Sequence, residues 1–125
     1  MAGAVALAED SHGQVVGIVH ARFNLETYNN RFGELEGLPR PQCMLDKIAV
    51  LPTARRSGVG KLLMRETATE AQRYGCSHLA LMVDWSTELR DRVEFFKACG
   101  LRSLVSGRDD DLFGADLETV LRSTA

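Results

Sequence analysis

The chain has 125 residues, 45% of them hydrophobic and 26% charged, with a formal net charge of -2; this is the profile of one globular domain, residues 1–125, large enough to bury a core. That charge gives no reason to expect nucleic acid or an anionic membrane as partner, and no apolar run approaches the roughly 18 residues of a bilayer span. Cys43, Cys76 and Cys99 form neither a CxxC nor a zinc-like pattern, so reduced thiols, a cytoplasmic location and no metal are the expectation.

In chain order, Ala4 to Ala8 and Val15 to Phe23 are apolar runs separated by polar turn formers and Gly13, which predicts a β-hairpin. Gly17 marks a bulge or a close approach, and His20 is read as lying on a strand face without a chemical role. Asn24 to Gln42 has no clear period and holds Gly33, Gly37, Pro39 and Pro41, which predicts a long loop. Leu45, Ile48, Ala49, Val50 and Leu51 read as a buried strand that Pro52 stops.

After Gly60 a helix is expected, with Leu62, Leu63, Thr67, Ala71 and Tyr74 on one side and Gly75 as its C-terminal cap. His78 to Val83 is a second buried strand. Asp84, Ser86 or Thr87 can cap a helix in which Leu89, Val93 and Phe96 recur at helical spacing until Gly100 ends it. Leu101 to Val105 is predicted as a strand, Ser106 to Asp111 as a polar loop, and Leu112 to Leu121 as a last strand. The whole describes a mixed α/β (α+β) domain around one sheet.

Between the central strand and its helix lies Arg55-Arg56-Ser57-Gly58-Val59-Gly60. Two glycines let the backbone approach a ligand, and the first helical turn leaves N–H groups without partners. With the helix dipole and the arginines they form an anion site, most naturally for a phosphate or pyrophosphate. A Walker A loop fails, because Arg55 stands where its first Gly belongs and Leu62 where its hydroxyl belongs. A dinucleotide fingerprint fails at Leu63, where it needs a third Gly.

The pattern Arg-x-x-Gly-x-Gly (Arg55, Gly58, Gly60), directly after Ile48-Ala49-Val50-Leu51-Pro52, resembles the central motif of the GNAT superfamily of acyl-CoA-dependent N-acyltransferases. Phe95-Phe96-Lys97-Ala98-Cys99-Gly100-Leu101 resembles that family's second signature. The resemblance covers nearly the whole chain and implies a mixed central sheet flanked by helices, apparently without the family's usual first strand and two helices. It also implies acetyl-CoA as co-substrate. Arg55, Arg56, Ser57, Gly58, Val59, Gly60 and Lys61 would hold its pyrophosphate, and Ile48, Ala49 and Val50 its pantetheine arm and thioester.

The chemistry implied is direct attack of a primary amine on the thioester within a ternary complex. Asp46 is the candidate base; its alternative role is a strand-edge carboxylate paired with Lys47 or an arginine. Strand alternation places Asp46, Ile48 and Val50 on one face. The family's general-acid tyrosine falls at Phe96, which carries no proton to donate; water, Tyr28, Tyr74 and Cys99 are then the alternatives. Tyr28, Glu34 and Glu36 are candidate contacts for the acceptor, a small-molecule or protein amine. An uncovered sheet face implies a homodimer. The competing readings are a non-catalytic acyl-CoA-binding module and a purely structural domain.

Overall fold

The computed structural model describes residues 2–24, 39, 41–83, 89–105 and 108–125. Small and branched residues in alternation build the first two strands, β1 (Ala2–Glu9) and β2 (Val15–Asn24), which pair antiparallel. The turn between them is closed by Asp10, whose Oδ1 accepts from the His12 and Gln14 amides at 2.8 and 3.0 Å, an Asx turn. β3 (Gln42–Val50) pairs antiparallel with β2, and β4 (His78–Met82) pairs parallel with β3. A parallel pair needs a crossover, and α1 (Val59–Tyr74) supplies it after a 3₁₀ turn at Pro52–Ala54. Then follow α2 (Leu89–Ala98), β5 (Arg102–Val105), β6 (Arg108–Asp116) and α3 (Leu117–Ser123), and the strand order is β1-β2-β3-β4-β6-β5.

The described helices share one face of this sheet. Val19, Ala21 and Phe23 of β2, Cys43 and Leu45 of β3, and Phe113 of β6 form a single cluster with Leu63, Met64 and Ala68 of α1, Phe96 of α2 and Val120 of α3. Gly17 shows both anticipated features. The β1–β2 register shifts beside it, and a Cβ there would lie 2.9 Å from Leu63 Cδ1 and 3.0 Å from Val59 Cγ1. β2 and the start of α1 are therefore in direct contact, which fixes where the helix begins. The opposite face leaves Val5, Leu7, Met82 and Leu104 exposed.

Three expectations are corrected. The buried stripe of α1 is Leu63, Met64, Thr67, Ala68 and Ala71, whereas Leu62 is 64% and Tyr74 48% exposed. A hydrophobic residue on each side of the true stripe shifted the helical phase by about one position. The last segment is not one strand: β6 begins at Arg108, within the expected loop, and ends at Asp116, and residues 117–123 are helical. Asp116 is the stop signal, since its Oδ1 accepts from the Thr119 amide at 2.6 Å as an N-cap. Finally, Asp46 does not share a face with Ile48 and Val50. His20 pairs with Lys47 and Ala21 with Leu45, which leaves Asp46 as the extra residue of a β-bulge.

The Asp116 cap makes a pH-dependent contribution. Hydrogen bonds from Thr119, its side chain first and then its backbone, hold the Asp116 carboxyl below the usual carboxylate range. A depressed folded-state value means the contribution is complete above the unfolded value near pH 4 and is lost as pH falls through the folded one. Asp116→Ala is expected to cost about 1 kcal/mol by denaturant melts at pH 7, with the difference shrinking below about pH 4. An unchanged midpoint at pH 7 would contradict the cap.

Candidate active site

The site begins where two strands part. β3 and β4 pair only from Gln42↔His78 to Leu45↔Leu81, while β3 continues to Val50. Among the described residues, the backbone edge of 46–50 on the β4 side thus has no strand beside it. Backbone groups left so are ready to bond an extended ligand. The bulge at Asp46 falls at this point of divergence, where it adds local twist.

Beyond β3 the chain turns sharply. Arg56 takes φ 67° and Gly58 φ 89°, left-handed positions that bend successive amides towards one concavity, as in anion-binding nests. An arginine in that region is uncommon and costs of order 1–3 kcal/mol, the kind of strain that gathers at ligand sites. Arg55 Nε donates to the Val50 carbonyl at 3.2 Å, and the Ser57 hydroxyl donates to the Ala54 carbonyl, so the turn is tied back to the strand. α1 then starts with no side-chain cap and no acidic residue in its first turn. Its N–H groups and dipole are left for an external anion.

These pieces line one groove of about 630 Å³. Ile48, Ala49 and Val50 form one wall, Arg55, Arg56 and Gly58 the end, and Gly60 and Lys61 the floor. Ser57 and Val59 do not line it; Val59 points to the β2 contact at Gly17. The other wall comes from α2: Phe95, which the sequence marks only as part of the second signature, and Asp91, Arg92 and Glu94, which it does not single out. Helical spacing alone gives no sign that this face of α2 meets a turn so much earlier in the chain. Gly60 is where the walls meet, since a Cβ there would lie 2.9 Å from Phe95 Cε1. Phe96 also lines the groove, almost fully buried, and its ring packs 6.2 Å from that of Phe113.

The profile of the acetyltransferase (GNAT) family matches residues 2–101. The chain belongs to the GNAT acetyltransferase family. No curated protein matches it. Its fold is similar to that of a GNAT acetyltransferase from Staphylococcus aureus Mu50, at 19% identity over 92% of this chain and 68% of that one, TM-score 0.68. It is similar to the aminoglycoside N-acetyltransferase AAC(6')-Iy in complex with CoA, at 21% identity over 85% and 72%, TM-score 0.67. Naa20 of Chaetomium thermophilum in complex with a bisubstrate analogue is 20% identical over 93% and 67%, TM-score 0.65.

Within this GNAT domain the remaining candidates are placed as follows. Asp46 lies on the sheet face opposite the helices, beside Arg22 and His20. Arg22 Nε donates to its Oδ2 and Nη2 to its Oδ1, both at 2.8 Å, and His20 Nδ1 is 3.6 Å from Oδ2. Of the two roles open to Asp46, pairing with an arginine is present. Tyr28, Glu34 and Glu36, and the caps Asp84, Ser86 and Thr87, lie outside the described residues. Tyr74 packs on Phe23 with ring centroids 5.4 Å apart, at the other end of a helix about 24 Å long from the turn. It is therefore out of reach of the groove as a proton donor.

The three thiols are buried. Burial pushes Cys76 and Cys99 up to about 11, with Lys61 partly offsetting it at Cys99; burial first, then Cys76 and Asp46, pushes Cys43 higher still. A raised thiol is a poor nucleophile. An aromatic disulfide reagent is therefore expected to react slowly with the native chain and to reach all three thiols on unfolding. Rapid native labelling of any one would contradict this burial.

Proposed function

We propose that the chain is an acetyl-CoA-dependent N-acetyltransferase acting on a primary amine by direct attack in a ternary complex. One observation carries this reading: the open β3 edge leads, within a single groove, to a cationic turn and an uncapped helix N-terminus. A ligand with an amide-bearing arm at one end and a pyrophosphate at the other fits that sequence of groups. The neighbour named for aminoglycoside N-acetylation supports an amine acceptor.

Arg55, Arg56 and the first amides of α1 hold the pyrophosphate, and the open backbone of 48–50 holds the pantetheine arm and aims the thioester carbonyl at a strand N–H. Fixing both reactants supplies several kcal/mol of the barrier, and the N–H stabilises charge developing on the carbonyl oxygen. The described helices occupy one face of the sheet, so the acceptor approaches from the other, where Asp46, His20 and Arg22 stand. No cysteine is placed to form a covalent intermediate, and the departing thiolate takes its proton from solvent. Incubating the chain with acetyl-CoA and a panel of primary amines, with release of the CoA thiol followed, tests the proposal. Amine-dependent release is the expected result, and release that ignores the amine would overturn it.

A second reading, a coenzyme A-binding module without turnover, is favoured by Phe96 at the position where the family resemblance puts a tyrosine. It predicts binding of CoA with no amine-dependent release.

A further inference from the structure

We propose that His20 takes the proton from the acceptor amine and that Asp46, held by Arg22, is the residue that positions the imidazole. This deepens the acetyl-transfer reading and rests on it. Both oxygens of Asp46 accept from the Arg22 fork at 2.8 Å. A carboxylate in a bidentate guanidinium pair must give up part of that pairing to take a proton. Its Oδ2 also faces His20 Nδ1 at 3.6 Å, a separation of the kind that closes to a hydrogen bond once a substrate is bound.

With Nδ1–H turned to Asp46, Nε2 is left as the acceptor atom. The His20 side chain is 46% exposed, so an amine can reach it. A ligand on the open edge takes the place of β4, two strand spacings or about 9.6 Å from β2; the imidazole reaches towards it across β3 and serves the amine through water.

Asp46 alternates from the core-facing Leu45 onto the face of Arg22 and His20, and the bulge puts Lys47 there too, opposite His20, before Ile48 returns to the helix-covered face. Among the described residues, the charged groups facing His20 are Asp46 and Lys47 from β3 and Arg22 from its own strand, while the residue opposite it on β1 is the uncharged Val5. In the transfer step one ammonium proton passes to Nε2 and the freed nitrogen pair forms the bond to the thioester carbonyl carbon. The C–S bond breaks with its pair on sulfur, the second proton leaves the new amide nitrogen for solvent, the thiolate takes a proton from solvent, and the imidazolium returns its own to solvent.

The test compares wild type, His20→Ala and Asp46→Asn across pH, with acetyl-CoA and the amine that wild type uses best among spermidine, lysine, kanamycin and a short peptide with a free N-terminus. His20→Ala is expected to lower kcat about 100-fold or more and to lose the acidic limb of the pH profile. Its KM for acetyl-CoA should hold, and added imidazole should restore activity in proportion to its concentration. Asp46→Asn should lower kcat less and keep the limb. His20→Ala with the wild-type limb and rate overturns the proposal, and so does a limb lost in Asp46→Asn alone. Wild type that binds acetyl-CoA, seen as a raised melting temperature, but acetylates none of these amines overturns it and leaves the groove standing. Absence of both would overturn the proposed function itself.

Discussion

Replacing Gly60 with alanine is expected to weaken acetyl-CoA binding at least tenfold while leaving the fold nearly as stable as before. Two effects oppose each other in stability. Gly60 lies in the first turn of α1, where alanine gains up to about 1 kcal/mol in helix propensity. Against this, the new Cβ would lie 2.9 Å from Phe95 Cε1 and 3.0 Å from Cζ. Those atoms are the far end of a half-buried side chain, so the ring can swing aside at a cost comparable to an off-rotamer torsion, about 1 kcal/mol. The terms nearly cancel. The ring moves in the groove itself, however, and the close approach of backbone to ligand that Gly60 permits is lost. Calorimetric titration with acetyl-CoA, next to a thermal melt, checks both halves. Unchanged affinity would mean that the ligand does not pass over Gly60.

The double variant Arg55→Ala/Arg56→Ala is expected to lower affinity for CoA roughly 100-fold, about tenfold for each charge-assisted contact to phosphate. It should also flatten the salt dependence of binding, because the screened attraction is gone. Arg55 has a structural share as well, through its bond to the Val50 carbonyl, so Arg56→Ala alone isolates the electrostatic part. Titrations at low and at physiological ionic strength read both quantities. Wild-type affinity in Arg56→Ala would remove that residue from the anion site.

Much of this architecture is legible in the sequence, for identifiable reasons. Pro52 after a branched run, paired glycines in a basic turn and Gly75 with its φ of 106° are local signals, and each is fixed by backbone sterics. They locate the centre of the domain and the end of the groove. The helix at 117–123 was missed because its cap, Asp116, is itself the last residue of a strand and the helix is only seven residues long. The α2 wall was missed because it depends on tertiary packing of Phe95 over Gly60. The bulge at Asp46 was invisible for a different reason. No glycine or proline marks it, and strict alternation is the default reading of any strand. That one extra residue is what sets Asp46 on the face opposite Ile48 and Val50, so the pairing with an arginine was open in the sequence but its partner was not.

The most direct test of the account is a thermal melt of the chain with increasing acetyl-CoA and, separately, free CoA. A ligand that binds only the folded chain stabilises it by about 2.7 kcal/mol at a hundredfold excess over its dissociation constant, a rise on the order of 10 °C for a domain of this size. The account predicts a concentration-dependent rise of that order with both ligands, lost in Arg55→Ala/Arg56→Ala and reduced in Gly60→Ala. A melting temperature indifferent to millimolar amounts of either ligand would contradict it.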